Sequence, residues 1–250
     1  RRFDPLPDDS TCPVCGYFDI NHPDVRAILL ARDPTKVLLS RAQCQCKSLA
    51  AKAERDELFR WEQSNLPHKA DPRTFASFQQ NPGLAEAITR AKRFAGLQGP
   101  RTLVLLGETG TGKSHLLEAI GRHVLGATGW SVRYDQVTAL LDRFRSTYSD
   151  GARESLDDLI AWHQRRMVVL LDDLGANAGT DWAVERLTSF LDERMRMGYW
   201  TALATNLDAG EMQAALGDRL ASRLFQTNPE VGEVSRCTLL AGDYRVRGGR

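Results

Sequence analysis

The sequence predicts an α/β fold, a mostly parallel sheet covered by helices on both faces. Two observations predict it. From Gly83 onward the short runs TLVLLG (102–107), SVRYD (131–135), MVVLLD (167–172) and WTALAT (200–205) alternate with helical patterns. Such runs are apolar on both faces, so both faces must be buried, as in a parallel sheet between two helical layers. With 42% apolar residues among 250, the chain can build the core of one ordinary domain plus a small appendage.

In chain order, residues 1–46 hold Pro5, Pro7, Pro13, Pro23 and Pro34 with little helical periodicity, and read as a small stapled module. Lys47 to Ser64 is charged, contains Ala and Leu and lacks Gly and Pro, which predicts a helix. NLPHKADPRTFASFQQNPG (65–83) is Pro-rich and polar and predicts an extended connector. The expected division is therefore a Cys-rich module (1–46), a linker helix and connector (47–82) and the main domain (83–250). A net charge of +1 argues against a strongly basic nucleic-acid module, but near-neutrality overall can hide a local basic stripe, so charge decides nothing about partners. No apolar run approaches the roughly 20 residues of a membrane-spanning helix, and no secretory segment opens the chain, so a cytoplasmic protein with no membrane partner is expected. The chain begins on Arg1 rather than Met, which leaves room for a preceding segment.

Four of the five cysteines lie before residue 47. Cys12 and Cys15 have the C-x-x-C spacing with a trailing Gly, and Cys44 and Cys46 form a second, tighter pair. Four thiolates match a closed tetrahedral Zn²⁺ site, with His22 as a substitute ligand, and metal would supply much of the folding free energy of so small a module. A redox pair is disfavoured, because the C-x-x-C does not sit between a strand and a helix. Cys237, alone in SRCTLL, reads as a buried strand residue.

GETGTGKS (107–114) satisfies G-x-x-x-x-G-K-[ST] directly after an apolar strand and directly before the helical stretch SHLLEAIGRHVLG. Gly107, Gly110 and Gly112 allow a tight turn whose N–H groups point at phosphate oxygens, and the new helix adds its positive dipole end. Glu108, Thr109, Thr111 and His115 complete the candidate nucleotide-binding stretch. Lys113 supplies a charge for the β and γ phosphates, and the Ser114 hydroxyl is a candidate Mg²⁺ ligand. The run MVVLLDDLG (167–175) is expected as the neighbouring strand, with Asp172 and Asp173 at its carboxyl end, where ligands of open α/β sheets bind. Asp172 would hold Mg²⁺ through its water shell, and Asp173 would polarise the attacking water.

Asn206, after the run ending in LAT, could bond the γ phosphate or that water. In GDRLASRLF (217–225), Arg219 and Arg223 stand at i, i+4 on one helical face. In QVTALLDRFRSTYSD (136–150), Val137, Leu140, Leu141 and Phe144 form an inward stripe, leaving Arg143, Arg145 and Tyr148 outward. Cations that track phosphate beside an aromatic that stacks a base suit single strands.

Taken in order, TFASF, GETGTGKSHLLEAIG, LLDDLGANAGTDWAVERL, ATNL, GDRLASRL and GDYR resemble the AAA+ ATPases of the DnaC/IstB/DnaI group, over roughly residues 66 to 245. The resemblance implies an ASCE-type P-loop sheet with Walker A and Walker B motifs, binding ATP and Mg²⁺. It further implies Asn206 as the sensor and Arg223 as the arginine finger, with Arg219 as the alternative finger. Only 27 residues follow Arg223, too few for the helical lid domain of many AAA+ proteins. Nucleotide would then be covered by a neighbouring subunit, which implies a homo-oligomer in the ATP state. The stretch around Arg143, Arg145 and Tyr148 is similar to the insertion that lines a DNA pore in the loaders. The function implied is a helicase loader that grips a replicative helicase through the zinc module and assembles on single-stranded DNA. The alternatives are a transposition helper acting on duplex target DNA with a transposase and, more remotely, a small-molecule P-loop kinase, for which no acceptor pocket or Arg-bearing lid is visible.

Overall fold

The computed structural model describes residues 46–79, 81–149, 152, 154–175, 180–225 and 234–240. Cys12, Cys15, Cys44, His22 and the GDYR motif lie outside the described residues, and of Cys46 only the backbone is described. Packing divides the chain into two units, Arg1–Leu58 and Phe59–Arg250. The second unit carries the sheet.

The strands are β1 (Thr102–Leu106), β2 (Val132–Gln136), β3 (Val168–Asp172), β4 (Trp200–Thr205) and β5 (Val234–Thr238). They pair in the order β2-β3-β4-β1-β5, every pair parallel. One expectation is corrected here: β3 does not adjoin β1, because β4 lies between them. Runs apolar on both faces fit any interior position, so their pattern carries no information about neighbours. Cys237 is indeed buried, on β5 opposite Leu105, and burial pushes its thiol pKa up to about 12.

The helices are α1 (Cys46–Gln63), α2 (Ala85–Ala95), α3 (Lys113–Thr128), α4 (Val137–Ser146), α5 (Leu156–Gln164), α6 (Asp181–Arg196) and α7 (Ala209–Phe225). Alternate residues of each strand feed two separate cores. Leu103, Leu105, Val168, Leu170, Ala202 and Ala204 pack with α2 and α3 on one face. Val104, Val169, Leu171 and Leu203 pack with α4, α5, α6 and α7 on the other. Each fully buried Leu or Ile contributes about 1.5–3 kcal/mol, so the two-sided sheet holds most of the apolar stabilisation. The helix starts are set locally. Ser155 accepts from the Asp158 N–H to open α5, and Thr180 accepts from the Ala183 N–H to open α6.

The segment expected as an extended connector is instead wound onto the second unit. Leu66 and Phe78 are buried in the first core, Asn81 caps a short 3₁₀ turn (Pro82–Leu84), and the Arg122 guanidinium donates to the Pro67 carbonyl. Pro, Asn and polar residues predict irregular backbone well, but the two apolar anchors decide where that backbone goes.

A buried guanidinium ties the opposite end of the sheet together. Arg194 of α6 donates to the carbonyls of His163, Gln164, Arg166 and Trp200 and to the Thr201 hydroxyl. It satisfies the last carbonyls of α5, which have no partner within the helix. Each buried acceptor left without a donor costs about 1–3 kcal/mol, so Arg194→Met is expected to lower the unfolding free energy by about 3 kcal/mol or more. A urea midpoint close to that of the parent protein would contradict this assignment.

Candidate functional site

The carboxyl ends of β1, β4 and β3 lie side by side and carry the candidate residues. After β1 the loop turns through Gly107, Gly110 and Gly112, all at positive φ (147°, 84° and 101°). A Cβ at Gly107 would lie 2.9 Å from the Leu239 carbonyl oxygen, and one at Gly112 would lie 2.9 Å from Cε2 of Phe78. Both positions therefore demand glycine on two grounds, conformation and space. Thr111 closes the turn by donating its hydroxyl to the Glu108 carbonyl at 2.8 Å. The Lys113 ammonium is buried and donates to the Gly107 and Glu108 carbonyls at 2.7 and 2.8 Å. It is thereby held inside the loop. Helix α3 begins on Gly112, which has no side chain to cap it, so its first N–H groups face the loop cavity.

The TFASF segment braces this loop from behind. Phe78 meets the His115 ring edge to face at 4.9 Å, and His115 Nε2 lies 2.9 Å from the Thr74 carbonyl oxygen. A carbonyl only accepts, so Nε2 carries the proton. Burial lowers the His115 pKa, the bond to Thr74 offsetting this only in part, and the ring stays neutral. Its ring is thus engaged by the connector, which leaves its backbone as the part that could face nucleotide. One turn on, buried Glu118 accepts from Arg73 at 2.7 Å, with Lys69 at 3.7 Å.

Asp172 is buried at the end of β3, whereas Asp173 is exposed and adopts φ 55°. The left-handed conformation is uncommon for residues other than Gly, though Asp tolerates it better than most. The turn is pinned to β4: the Leu174 N–H donates to the Ala204 carbonyl, and the Thr205 hydroxyl donates to the Leu174 carbonyl, both at 2.8 Å. Asn206 follows Thr205, exposed, between the ends of β1 and β3. Sequence reasoning missed Tyr134 of β2, whose hydroxyl donates to Asp172 Oδ2 at 2.7 Å. Burial and the adjacent Asp172 carboxylate raise the Tyr134 pKa strongly, so it acts as a donor at every ordinary pH.

Arg219 and Arg223 lie on the second half of α7, after a break at Gly217. Both pair with Asp192 of α6, at 2.7 and 3.0 Å, and so sit apart from the loop of their own chain. On α4, Val137, Leu140, Leu141 and Phe144 are buried while Arg143 and Arg145 are exposed, as is Tyr148 in the turn that follows. Arg143 pairs with Glu154 at 3.2 Å. The structure adds a residue that sequence reading did not single out. Trp182 meets the Tyr148 ring at 6.1 Å and lies under the Arg145 guanidinium at 5.4 Å. A clue lay in the sequence, since Trp182 closely follows the DDLG turn.

Residues 45–226 match the family described as IstB-like ATP binding protein. The chain belongs to that family. It is 34% identical over 143 residues to the chromosomal replication initiator protein DnaA of Leptospira biflexa, a match covering 55% of this chain and 31% of the initiator. To the replicative helicase loader DnaC of Buchnera aphidicola it is 23% identical over 147 residues, covering 58% of this chain and 59% of the loader. The chain thus spans about a third of the initiator's length and under two thirds of the loader's. The AMPPCP-bound DnaA of Aquifex aeolicus superposes with a TM-score of 0.59 at 21% identity, over 73% of this chain and 54% of that one, which shows the shared AAA+ P-loop fold. This chain is accordingly an IstB-like ATP binding protein with that fold.

The residues present fit Mg²⁺–ATP. The turn at Gly107 and Gly112 admits no Cβ, the buried Lys113 ammonium is held within it, and Ser114 and Asp172 offer the hard oxygen donors that Mg²⁺ takes. Among the described residues no three His, Cys, Asp or Glu side chains gather as a metal site. No helix among them is long and apolar enough to cross a membrane. Gly112→Ala places a methyl against Phe78 in a conformation L-residues avoid. It is expected to weaken binding of a fluorescent ATP analogue at least about tenfold, a loss of roughly 1.4 kcal/mol, without lowering the melting temperature by more than a few degrees. Wild-type affinity would show that the loop does not take the phosphates.

Proposed function

We propose that this ATPase works as a helicase-loader-type subunit on single-stranded DNA, hydrolysing ATP between neighbouring copies. In this reading Lys113 and the loop N–H groups hold the phosphates, and Ser114 and Asp172 hold Mg²⁺. Asp173 polarises the attacking water and Asn206 orients it. Arg223, or Arg219 beside it, reaches the nucleotide of an adjacent copy. The observation that carries the DNA part is the group formed by exposed Arg145 and Tyr148 and half-buried Trp182, two aromatic rings beside a cation that also pairs with Asp142 at 3.2 Å. Such a platform stacks unpaired bases while the cation follows phosphate, and duplex DNA offers no unstacked base to it. The DnaC relative, named as a replicative helicase loader, supports the same class of partner.

The second reading is a transposition helper on duplex target DNA, favoured by the IstB-like family itself. The two separate on which DNA stimulates hydrolysis. A Zn²⁺ site at Cys12, Cys15, Cys44 and Cys46 remains part of the proposal, as the grip on the protein partner, and metal analysis of the purified protein tests it.

Arg223→Ala is expected to bind ATP normally and lose hydrolysis by about 10³-fold, the lower end of what a finger contributes in GTPases. Mixing it with Asp173→Asn protein should restore turnover, because one interface then regains both groups. Absence of rescue would place the arginine's action within its own subunit. Trp182→Ala is expected to weaken single-stranded DNA binding by about 1–3 kcal/mol, roughly 5- to 150-fold, with little effect on duplex binding. Equal losses on both DNAs would favour the transposition reading.

A further inference from the structure

We infer that Tyr134 is a positioning residue for the magnesium-side carboxylate, Asp172. This rests on the assignment of Asp172 made above and extends it to a residue on another strand. Register explains how the two meet. Tyr134 lies opposite Leu170 and Gln136 opposite Asp172, so the Tyr134 and Asp172 side chains leave the sheet on the same face, one pleat apart. The phenol ring is part of the first core, and its hydroxyl reaches past Leu170 to Asp172 Oδ2 at 2.7 Å. Both side chains are nearly sealed from solvent, at 7% and 2% exposure.

The other carboxylate oxygen has a different duty. Asp172 Oδ1 accepts the Asp173 N–H at 3.1 Å, a longer contact at the mouth of the strand. With Oδ2 fixed by the phenol, the plane of the carboxylate is set, and Oδ1 is the oxygen left toward the end of the strand. A hydrogen-bond partner that orients a metal-side carboxylate typically matters 10- to 100-fold in metal affinity or activity.

Tyr134 is itself held rigidly. Its N–H donates to the Ser64 carbonyl at 2.8 Å, and the Asn65 side-chain amide donates to its carbonyl at 2.8 Å. Asn65 also donates to Asp135 Oδ1 at 3.0 Å and adopts φ 57°. Ser64 and Asn65, where the helix gives way to the connector, therefore fix the backbone that carries the phenol. This gives the proposal a second handle, because Asn65→Gly keeps the left-handed backbone and removes only the amide.

The test uses the full chain and measures binding of a fluorescent, non-hydrolysable ATP analogue as Mg²⁺ is titrated, together with hydrolysis and melting temperature. Tyr134→Phe keeps the ring in the core and removes the donor. The expected result is a Mg²⁺ midpoint raised roughly tenfold, unchanged affinity without Mg²⁺, and kcat lowered more than KM is changed. Asn65→Gly is expected to move the midpoint in the same direction by a smaller factor, and it carries the test if Tyr134→Phe fails to fold. A parental Mg²⁺ midpoint in a folded Tyr134→Phe, or in Asn65→Gly where the first variant is lost, overturns the positioning role. Asp172→Asn separates the two failures. If Asp172→Asn loses the Mg²⁺ response and Tyr134→Phe does not, only the role of Tyr134 falls. If Asp172→Asn responds to Mg²⁺ as the parent does, the assignment of Asp172 falls, and the inference about Tyr134 with it.

Discussion

The arrangement of the nucleotide end depends on the carboxyl end of β4. The Ala204 carbonyl and the Thr205 hydroxyl pin the DDLG turn from one side, and the Leu207 N–H bonds the same hydroxyl at 3.0 Å. Gly175 completes the clamp, since a Cβ there would lie 2.2 Å from Leu207 Cδ1. With Leu174 buried and Gly175 held, the chain must turn sharply between β3 and Leu174, and Asp173 takes the left-handed conformation that this requires. Asp173 is thereby exposed while Asp172 stays buried in the sheet. Two adjacent acids are given different surroundings by a single turn.

The strap from Asn65 to Phe78 extends that constraint across the first core. It bonds β2 through Asn65, packs Phe78 against Gly112, engages the His115 ring through Thr74 and pairs Arg73 with Glu118 of the P-loop helix. One continuous segment thus touches the backbone behind Asp172 and the loop that ends in Lys113. Glu118 is nearly inaccessible, so its ion pair is shielded from the screening that weakens surface pairs, although the Arg73 and Lys69 ends remain partly in water. A displacement of the P-loop helix would have to carry the strap with it, because the contacts are spread over about two turns of α3, from His115 to Arg122.

What was legible in the sequence was whatever chemistry lies in consecutive residues. GETGTGKS, LLDD and the stripe of Val137, Leu140, Leu141 and Phe144 each announce themselves, because strand, loop and helix impose their periods locally. Strand order was not legible, since strands buried on both faces look alike whichever neighbour they have. Tyr134 was invisible for a related reason: it meets Asp172 across a sequence gap of 38 residues, and a tyrosine within an apolar run reads as core. Arg194 and Asp192 were overlooked because α6 is rich in charge, and only packing shows which charges turn inward. The two arginines of α7 could be read as a pair, but their shared carboxylate could not.

That shared carboxylate bears on how an arginine could serve another subunit. Gly217, at φ 80° and ψ 161°, ends the first half of α7 and lets the second restart in a new direction. A Cβ at Gly217 would meet nothing within 4 Å, so conformation rather than space calls for glycine. The restart carries Arg219 and Arg223 to Asp192, where two guanidinium groups share one carboxylate and leave an excess positive charge. Arg219 is 73% exposed and Arg223 44%, against 13% for Asp192, so the acid is anchored and the arginines are wet. Ion pairs of this kind contribute about 0–1 kcal/mol. A nucleotide's phosphates carry several negative charges and offer each guanidinium its own charge-assisted bonds, whereas the two arginines divide the single carboxylate of Asp192. In the intersubunit reading, an incoming nucleotide therefore competes against a weak contact that has already aligned the arginines on one surface. A deeply buried pair would have kept them at home.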